Sequence, residues 1–148
     1  MSQDAIGRPM EILLIEDSLM AARLSMGALA KSGIEHRLSW MNDGQEARDF
    51  LTQSGKYARA PCPDLILLDL HLPEVDGLTL LREIRKCDRL KEIPVLIMTG
   101  TAGDEDVAEF EKMDVQGFLV KPIDLEKFLA LVETLKDYWK KDMIVRKV

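Results

Sequence analysis

Three runs of apolar residues stand out along the chain, and each stops at a polar residue. They are ILLI at 12–15, LILL at 65–68 and VLIM at 95–98. Near-continuous apolar runs of this length are typical of strands in a parallel sheet that is covered on both faces. Two weaker runs accompany them. The run HRLSWM at 36–41 resembles an edge strand, and the run FLV at 118–120 resembles a strand that is ended by the following proline. The pattern therefore predicts five strands.

The segments between these runs have the spacing of amphipathic helices. A polar residue or glycine stands where each helix should begin, at Ser18, Gly44, Asp76, Asp104 and Asp124. We expect the first helix to span 18–32, with Gly33 in the left-handed conformation that follows a helix. We expect the fourth helix to include Val107, Phe110 and Met113, which are spaced by three. The methionines at 20, 26, 98 and 113 are expected to fill the core.

The alternation of strands and helices predicts the fold class. A strand followed by a helix, five times over, is the signature of a doubly wound α/β domain with right-handed crossovers. The 148 residues fit one ordinary domain. We expect a flexible N-terminal arm at 1–9, one domain at 10–139 and a short C-terminal tail at 140–148.

Charge and composition exclude several classes of protein. Twenty basic and 26 acidic residues give a net charge of −6, and only the short tail concentrates basic residues. Duplex binding needs a positive face, so direct binding to nucleic acid is not expected. The N-terminus lacks the regions of a signal peptide and no apolar run could span a bilayer, so we expect a cytoplasmic protein without a membrane partner. Cys62 and Cys87 indicate neither a zinc site nor a disulfide framework.

The residues that end the predicted strands are the candidate functional groups. Ligands of open α/β sheets bind beyond the carboxyl ends of the strands. Those ends carry Glu16, Asp17, Asp69, Thr99 and Lys121. Three carboxylates at one edge repel one another unless a cation lies between them, and a hard divalent ion, Mg²⁺, is the expected cation.

These residue types suit the transfer of a phosphoryl group. Glu16 and Asp17 would hold the ion, while Asp69 would keep an oxygen free for nucleophilic attack. Lys121 would offset the charge of a bound phosphoryl group, and Thr99 would donate its hydroxyl to a phosphoryl oxygen. Asp69, Thr99 and Lys121 are therefore the predicted catalytic residues.

Short motifs at these positions make the chain resemble a known family. They are IED at 15–17, LLDLHLP at 67–73, DG at 76–77, MTG at 98–100 and KP at 121–122. In this order the motifs are highly specific, and residues 10–139 look like a response-regulator receiver domain of two-component signalling. The resemblance implies a flavodoxin-like (βα)5 three-layer sandwich with the parallel strand order 2-1-3-4-5.

The resemblance also implies a phosphorelay mechanism. A histidine kinase would present a phosphohistidine, and Asp69 would accept its phosphoryl group in a Mg²⁺-dependent reaction. The metal ligands would be Glu16, Asp17, Asp69 and the main-chain carbonyl of His71. Phosphorylation would draw Thr99 inward, give space to the ring of Phe118, and switch a face made of the fourth helix, fifth strand and fifth helix. Such a protein is not an enzyme in the usual sense, because it catalyses only its own phosphorylation and dephosphorylation.

Two positions depart from the commonest family pattern. Glu16 stands where aspartate is more frequent, and Phe118 lacks the hydroxyl of the tyrosine that is also common there. A Phe118 ring has less reason to point outward, which favours active-like conformers before phosphorylation. The bond between Lys121 and Pro122 resembles the family's cis peptide.

Other positions keep two interpretations. His71 and Thr101 follow Asp69 and Thr99 by two residues, and each either tunes the lifetime of the phosphoryl group or is an exposed side chain. For His71 we prefer the exposed side chain. The aromatic pair Tyr138 and Trp139 either closes over the core or contacts a partner; their exposure in a monomer would distinguish the two.

Segments outside the motifs carry a closer resemblance. They are the long loop before PDLILLDL, the segment CDRLKEIPVLIMT, the run KPIDLEKF, and the aromatic pair followed by a short tail. They look like the stand-alone regulators that partner bacterial phytochrome histidine kinases. Those regulators have no attached effector and commonly dimerise through the face described above. The resemblance thus implies a phytochrome kinase partner and a homodimer.

Two other functions would use the same fold or the same residues. A constitutive protein-binding pseudo-receiver would keep the fold without phosphorylation, but the intact acidic, threonine and lysine positions argue against it. A magnesium-dependent phosphohydrolase of the haloacid dehalogenase type would want a second aspartate two residues after the first, where this chain has His71.

Overall fold

The strands and helices alternate along the chain as the apolar pattern predicts. The computed structural model describes residues 8–100, 104–121 and 124–135. Its strands are β1 Met10–Ile15, β2 His36–Met41, β3 Leu65–Asp69, β4 Val95–Thr99 and β5 Gly117–Val120. Its helices are α1 Leu19–Ala30, α2 Gly44–Thr52, α3 Gly77–Lys86, α4 Asp104–Glu111 and α5 Leu125–Thr134. A short 3-10 turn, Gly55–Tyr57, follows α2 and was not predicted.

The strands of the described residues form one parallel sheet in the order β2-β1-β3-β4-β5. Helices cover both of its faces. One face packs with α2, α3 and α4 around Phe50, Leu81 and Phe110. The other packs with α1 and α5 around Leu29 and Phe128. The predicted flavodoxin-like order and the three layers are confirmed, and β3 and β4 are apolar throughout their middles because side chains on both faces are buried.

Polar residues cap the helices where the sequence places them. The Oγ of Ser18 accepts a hydrogen bond from the N–H of Ala21 at 3.2 Å. A carboxylate oxygen of Asp76 accepts from the N–H of Thr79 at 2.8 Å. Each contact satisfies an N–H group that has no partner within its own helix.

Two helices end earlier than expected. α1 ends at Ala30, because the hydroxyl of Ser32 donates to the carbonyl of Leu29 at 2.6 Å and closes the last turn. Gly33 follows with φ of 76°, in the left-handed conformation that was predicted. α4 ends at Glu111, so Met113 lies in the turn after the helix, where its N–H donates to the carbonyl three residues back at 2.9 Å.

Several predictions fall outside the described residues. They concern Thr101, the peptide bond between Lys121 and Pro122, the pair Tyr138 and Trp139, most of the arm 1–9, and the tail 140–148. These stay predictions, as does the boundary of the domain at 139.

The first half of α1 carries an exposed apolar surface. Met26, Met98 and Met113 are buried or half-buried as expected, but the prediction for Met20 is wrong, because this side chain is 74% exposed. Leu19 and Leu24 are about half exposed beside it. We refer to Leu19, Met20 and Leu24 as the α1 apolar surface. Within the described residues, no helix combines the length and apolarity needed to cross a bilayer.

The guanidinium of Arg85 links α3 by hydrogen bonds to segments at the amino-terminal end of the sheet. Arg85 donates to the carbonyls of Lys91 (3.0 Å), Ile93 (2.9 Å), Met113 (2.7 Å) and Asp114 (3.0 Å). These carbonyls belong to the loop before β4 and to the turn after α4. Because main-chain carbonyls need partners when they leave water, Arg85 holds both segments in place.

Gly44 seats the loop after β3 against the first turn of α2. Its N–H donates to the carbonyl of Pro73 at 3.3 Å. A Cβ at Gly44 would lie 2.0 Å from the carbonyl oxygen of Val75, which is far inside van der Waals contact. Space therefore requires glycine at this position.

We expect Gly44→Ala to lower the free energy of unfolding by about 1–3 kcal/mol, because the new methyl group displaces main chain rather than a flexible side chain. The measurement is urea unfolding. Gly27→Ala is the control, since nothing lies within 4 Å of a Cβ there, and it should leave the protein as stable as before or more stable. Equal losses of unfolding free energy in the two variants would contradict the conclusion that space requires glycine at position 44.

Candidate functional site

Three carboxylates meet at the carboxyl ends of β1 and β3. The side chains of Glu16, Asp17 and Asp69 each place an oxygen within 4.8 Å of the others. Asp69 is the last residue of β3 and is 3% exposed, and Glu16, directly after β1, is 0% exposed. Asp17 is exposed. The predicted cluster is therefore present because β1 and β3 are neighbouring parallel strands, which bring their ends together.

Hydrogen bonds fix Glu16 along its whole length. Its N–H donates to the carbonyl of Met41 at 3.0 Å, which extends the β1–β2 ladder by one residue. Its carbonyl accepts from the indole N–H of Trp40 at 2.7 Å. Its Oε2 accepts from the N–H of Ser18 at 3.0 Å. Sequence reasoning did not identify Trp40 as part of this site.

Lys121 brings the positive charge of the site. Its Nζ lies 2.6 Å from Oε1 of Glu16 and 2.9 Å from Oδ2 of Asp69. The Lys121 ammonium is the partner of this buried Glu16 oxygen, and a carboxylate oxygen with one such partner keeps a second lone pair for a metal ion. The main-chain N–H of Lys121 donates to the carbonyl of Thr99 at 2.7 Å, which places the lysine directly after the β4–β5 ladder.

Each oxygen of Asp69 has a defined neighbour. Oδ1 accepts from the main-chain N–H of His71 at 3.1 Å, and Oδ2 accepts from Lys121. The residue His71 itself is exposed, and both interpretations of its side chain stay predictions. Thr99 ends the neighbouring strand β4 and is 1% exposed, so it reaches the same edge of the sheet.

The aromatic ring of Phe118 lies on the face of the sheet that is covered by α2, α3 and α4. It is half-buried and meets the ring of Phe110 edge to face, with 6.1 Å between the ring centroids. It pairs in register with Ile97, two residues before Thr99. The switch role of Thr99 and Phe118 stays a prediction.

Negative charge exceeds positive charge in this site. Burial raises the pKa of Glu16 from 4.5 to about 7, against the opposing effects of Lys121 and the N–H of Ser18, and Asp69 adds to the rise. For Lys121, burial lowers the pKa, but the two carboxylates beside it outweigh burial and raise it. One lysine therefore does not fully compensate the cluster.

This donor set fits a divalent cation. All the clustered side-chain groups offer oxygen ligands, the buried Oε1 of Glu16 has only the Lys121 ammonium as its partner, and the excess charge is negative. Mg²⁺ and similar ions prefer oxygen ligands of this kind. The residues that would hold such an ion are Glu16, Asp17 and Asp69.

Comparison with known proteins decides the family. The model of a family described as "Response regulator receiver domain" matches residues 12–133. The chain belongs to this family. This match confirms the resemblance seen in the sequence motifs. A receiver domain is a signalling module and not a classical enzyme.

Two curated relatives match most of the chain. The response regulator Rcp1 of Synechocystis sp. is 38% identical over 136 residues, which cover 92% of this chain and 92% of Rcp1. The probable methanogenesis regulatory protein FilR2 of Methanothrix harundinacea is 37% identical over 131 residues, which cover 88% of this chain and 84% of FilR2.

Solved structures of receivers have the same architecture. The phosphorylated cyanobacterial phytochrome response regulator RcpA has a TM-score of 0.77 at 36% identity, covering 89% of this chain and 94% of RcpA. The Mn²⁺-bound form of Rcp1 has a TM-score of 0.76 at 36% identity, covering 95% of this chain and 100% of the Rcp1 chain. This receiver is thus related to the phytochrome response regulator RcpA and to a response regulator, Rcp1, that has been solved with Mn²⁺ bound.

We expect the metal-free receiver to lose stability as the pH rises from 4.5 through about 7. Below its ordinary pKa of 4.5, Glu16 is protonated in both the folded and the unfolded state. Between 4.5 and about 7 the unfolded chain releases this proton first, so ionisation favours unfolding. Glu16→Gln should therefore flatten the dependence of the free energy of unfolding on pH.

The measurement is urea unfolding in the presence of a chelator at several pH values. Glu92→Gln removes an exposed carboxylate elsewhere and should keep the wild-type pH dependence. Saturating Mg²⁺ should stabilise the wild type at high pH by mass action, and stabilise Glu16→Gln less. Parallel pH curves for the wild type and Glu16→Gln would contradict the burial of an ionisable Glu16.

Proposed function

We propose that this receiver accepts a phosphoryl group on Asp69 from a phosphohistidine of a histidine kinase, in a Mg²⁺-dependent reaction. The observation that carries the proposal is the setting of the Asp69 carboxylate. It ends a buried strand, faces two other carboxylates, and has one oxygen held by a main-chain N–H and the other by Lys121.

The chain's own residues have distinct roles in this reaction. The N–H of His71 orients the Asp69 carboxylate so that an oxygen attacks phosphorus in line with the leaving imidazole. The O–P bond forms as the P–N bond breaks, and the imidazole keeps the electron pair. Lys121 already lies at 2.9 Å from the acceptor and turns to the phosphoryl oxygens as they arrive. A bound Mg²⁺ supplies further neutralisation of their charge.

The neighbouring strands β4 and β5 would transmit the effect of phosphorylation. Thr99 is buried at the end of β4 and donates its hydroxyl to a phosphoryl oxygen. Its inward movement makes room for Phe118, which packs between the sheet and Phe110. The output face is then α4, β5 and α5, where Val120 is 58% exposed. A partner protein or a second copy of the chain binds there.

The kinase is proposed to be of the phytochrome type. Supporting this are the relatives RcpA, which is described as a phytochrome response regulator, and Rcp1, which matches nearly the whole chain. The α1 apolar surface directly follows the acidic cluster in sequence and offers the docking contact. Cytoplasmic location and the absence of direct contact with nucleic acid stay predictions.

The first test is intact mass after incubation with acetyl phosphate and Mg²⁺. We expect one phosphoryl adduct on the wild type and none on Asp69→Asn, because the amide is not a nucleophile. A metal-free incubation should show little adduct. An adduct that persists in Asp69→Asn would place the acceptor elsewhere. The absence of any adduct on the wild type would instead support a constitutive binding module.

A second test addresses the docking of the kinase. Met20→Lys puts a charge into the α1 apolar surface and should slow transfer from an autophosphorylated phytochrome histidine kinase by about tenfold. Labelling by acetyl phosphate needs no docking surface and should not change. Ala30→Lys, which adds the same charge at the exposed far end of α1, is the matched control. If both variants slow transfer equally, the α1 apolar surface is not the contact.

A further inference from the structure

We infer that Trp40 is a positioning residue for the divalent-metal site, acting through the main chain of Glu16. The inference rests on the proposed function, because it assumes that the acidic cluster holds Mg²⁺. It goes beyond that function, because it concerns a side chain on the edge strand β2 that belongs to no motif described above.

The contact joins the end of one strand to the end of its neighbour. Trp40 pairs in register with Leu14, yet its indole N–H reaches forward to the carbonyl of Glu16 at 2.7 Å. The ladder between β1 and β2 ends with Met41, whose carbonyl takes the N–H of Glu16. The carbonyl of Glu16 therefore lies beyond the paired part of β2, where no main-chain N–H of that strand reaches it. The side chain of Trp40 supplies the donor that the strand no longer provides.

The ring of Trp40 is itself held in place. It is half-buried and packs against the core under α1 and α5, beside Leu38 of the same strand. A packed indole has a single N–H donor and few accessible rotamers, so its hydrogen bond has a fixed direction. The carbonyl of Glu16 is consequently held by a rigid group rather than by water.

Glu16 needs this support more than a shorter acid would. A glutamate has one more rotatable bond than an aspartate. For the same freedom of main-chain position, its carboxylate therefore occupies a wider range of positions. Here the carboxylate must lie between the N–H of Ser18 and the ammonium of Lys121. The carbonyl of Glu16 accepts from the indole of Trp40 and its N–H donates to Met41, and these two hydrogen bonds restrict the main-chain position of Glu16. Groups that orient metal ligands from behind influence metal affinity strongly.

The test compares two variants that each remove one donor from a half-buried aromatic residue. Trp40→Phe keeps an aromatic ring and loses the N–H. Tyr57→Phe keeps its ring and loses a hydroxyl that donates to Glu46 at 2.5 Å, in the 3-10 turn after α2. We expect Trp40→Phe to weaken Mg²⁺ binding to the full chain by about tenfold in isothermal titration calorimetry. Tyr57→Phe should bind Mg²⁺ like the wild type, even where urea unfolding shows that both variants have lost stability.

A second readout needs no change at Trp40. The chain contains two tryptophans, so Trp139→Phe leaves Trp40 as the sole indole emitter. Its fluorescence should change saturably with Mg²⁺, with the same dissociation constant as calorimetry gives. If Trp40→Phe does not fold, an emission from Trp40 that does not change with Mg²⁺ still overturns the inference.

The outcomes separate the inference from the proposed function. If the wild type binds Mg²⁺ while Trp40→Phe binds it equally well, or Trp40 emission ignores the metal, Trp40 is only a structural residue and the inference fails. If the wild type does not bind Mg²⁺, the metal-dependent part of the proposed function fails and the inference falls with it.

Discussion

The ion pair of Lys121 with Glu16 and Asp69 is the interaction on which the site depends. Glu16 is wholly buried, and a buried carboxylate without a partner costs several kcal/mol. One ammonium shared by two carboxylates reduces that cost without removing it, which is why the pKa of Glu16 stays high. The remaining negative charge makes the site receptive to a divalent cation. Lys121 lies 2.9 Å from Oδ2 of Asp69, close enough to contact a phosphoryl group there in the proposed reaction.

The parallel sheet makes this concentration of charge possible. β1 and β3 are adjacent, and their apolar middles anchor the main chain up to the residue before each carboxylate. The charged groups therefore occupy defined positions without a rigid loop to hold them. Gly44 adds a second constraint, because α2 touches the main chain of the loop after β3 at Pro73 and Val75.

The sequence predicts the strands and strand-end residues well, because a run such as 65–68 is long, apolar and sharply ended by Asp69. It predicts contacts between elements less well. Trp40 reaches Glu16 only because of the register of β1 against β2, and a single sequence contains no such register. Met20 was misplaced because α1 is apolar around much of its circumference, so apolarity alone does not identify the buried face. Met113 was placed in α4 because a spacing of three also fits the turn that follows a helix.

Arg85 has a mechanical consequence for signalling. It pins the turn after α4 through the carbonyls of Met113 and Asp114, at the end of the molecule away from the acidic cluster. The amino end of α4 follows the segment that leaves Thr99. In the proposed mechanism, a shift of α4 that begins near Thr99 would therefore turn about the carboxyl end of the helix, which Arg85 holds. In the proposed mechanism the output face would then tilt rather than slide, and its largest movement would lie nearest Asp69.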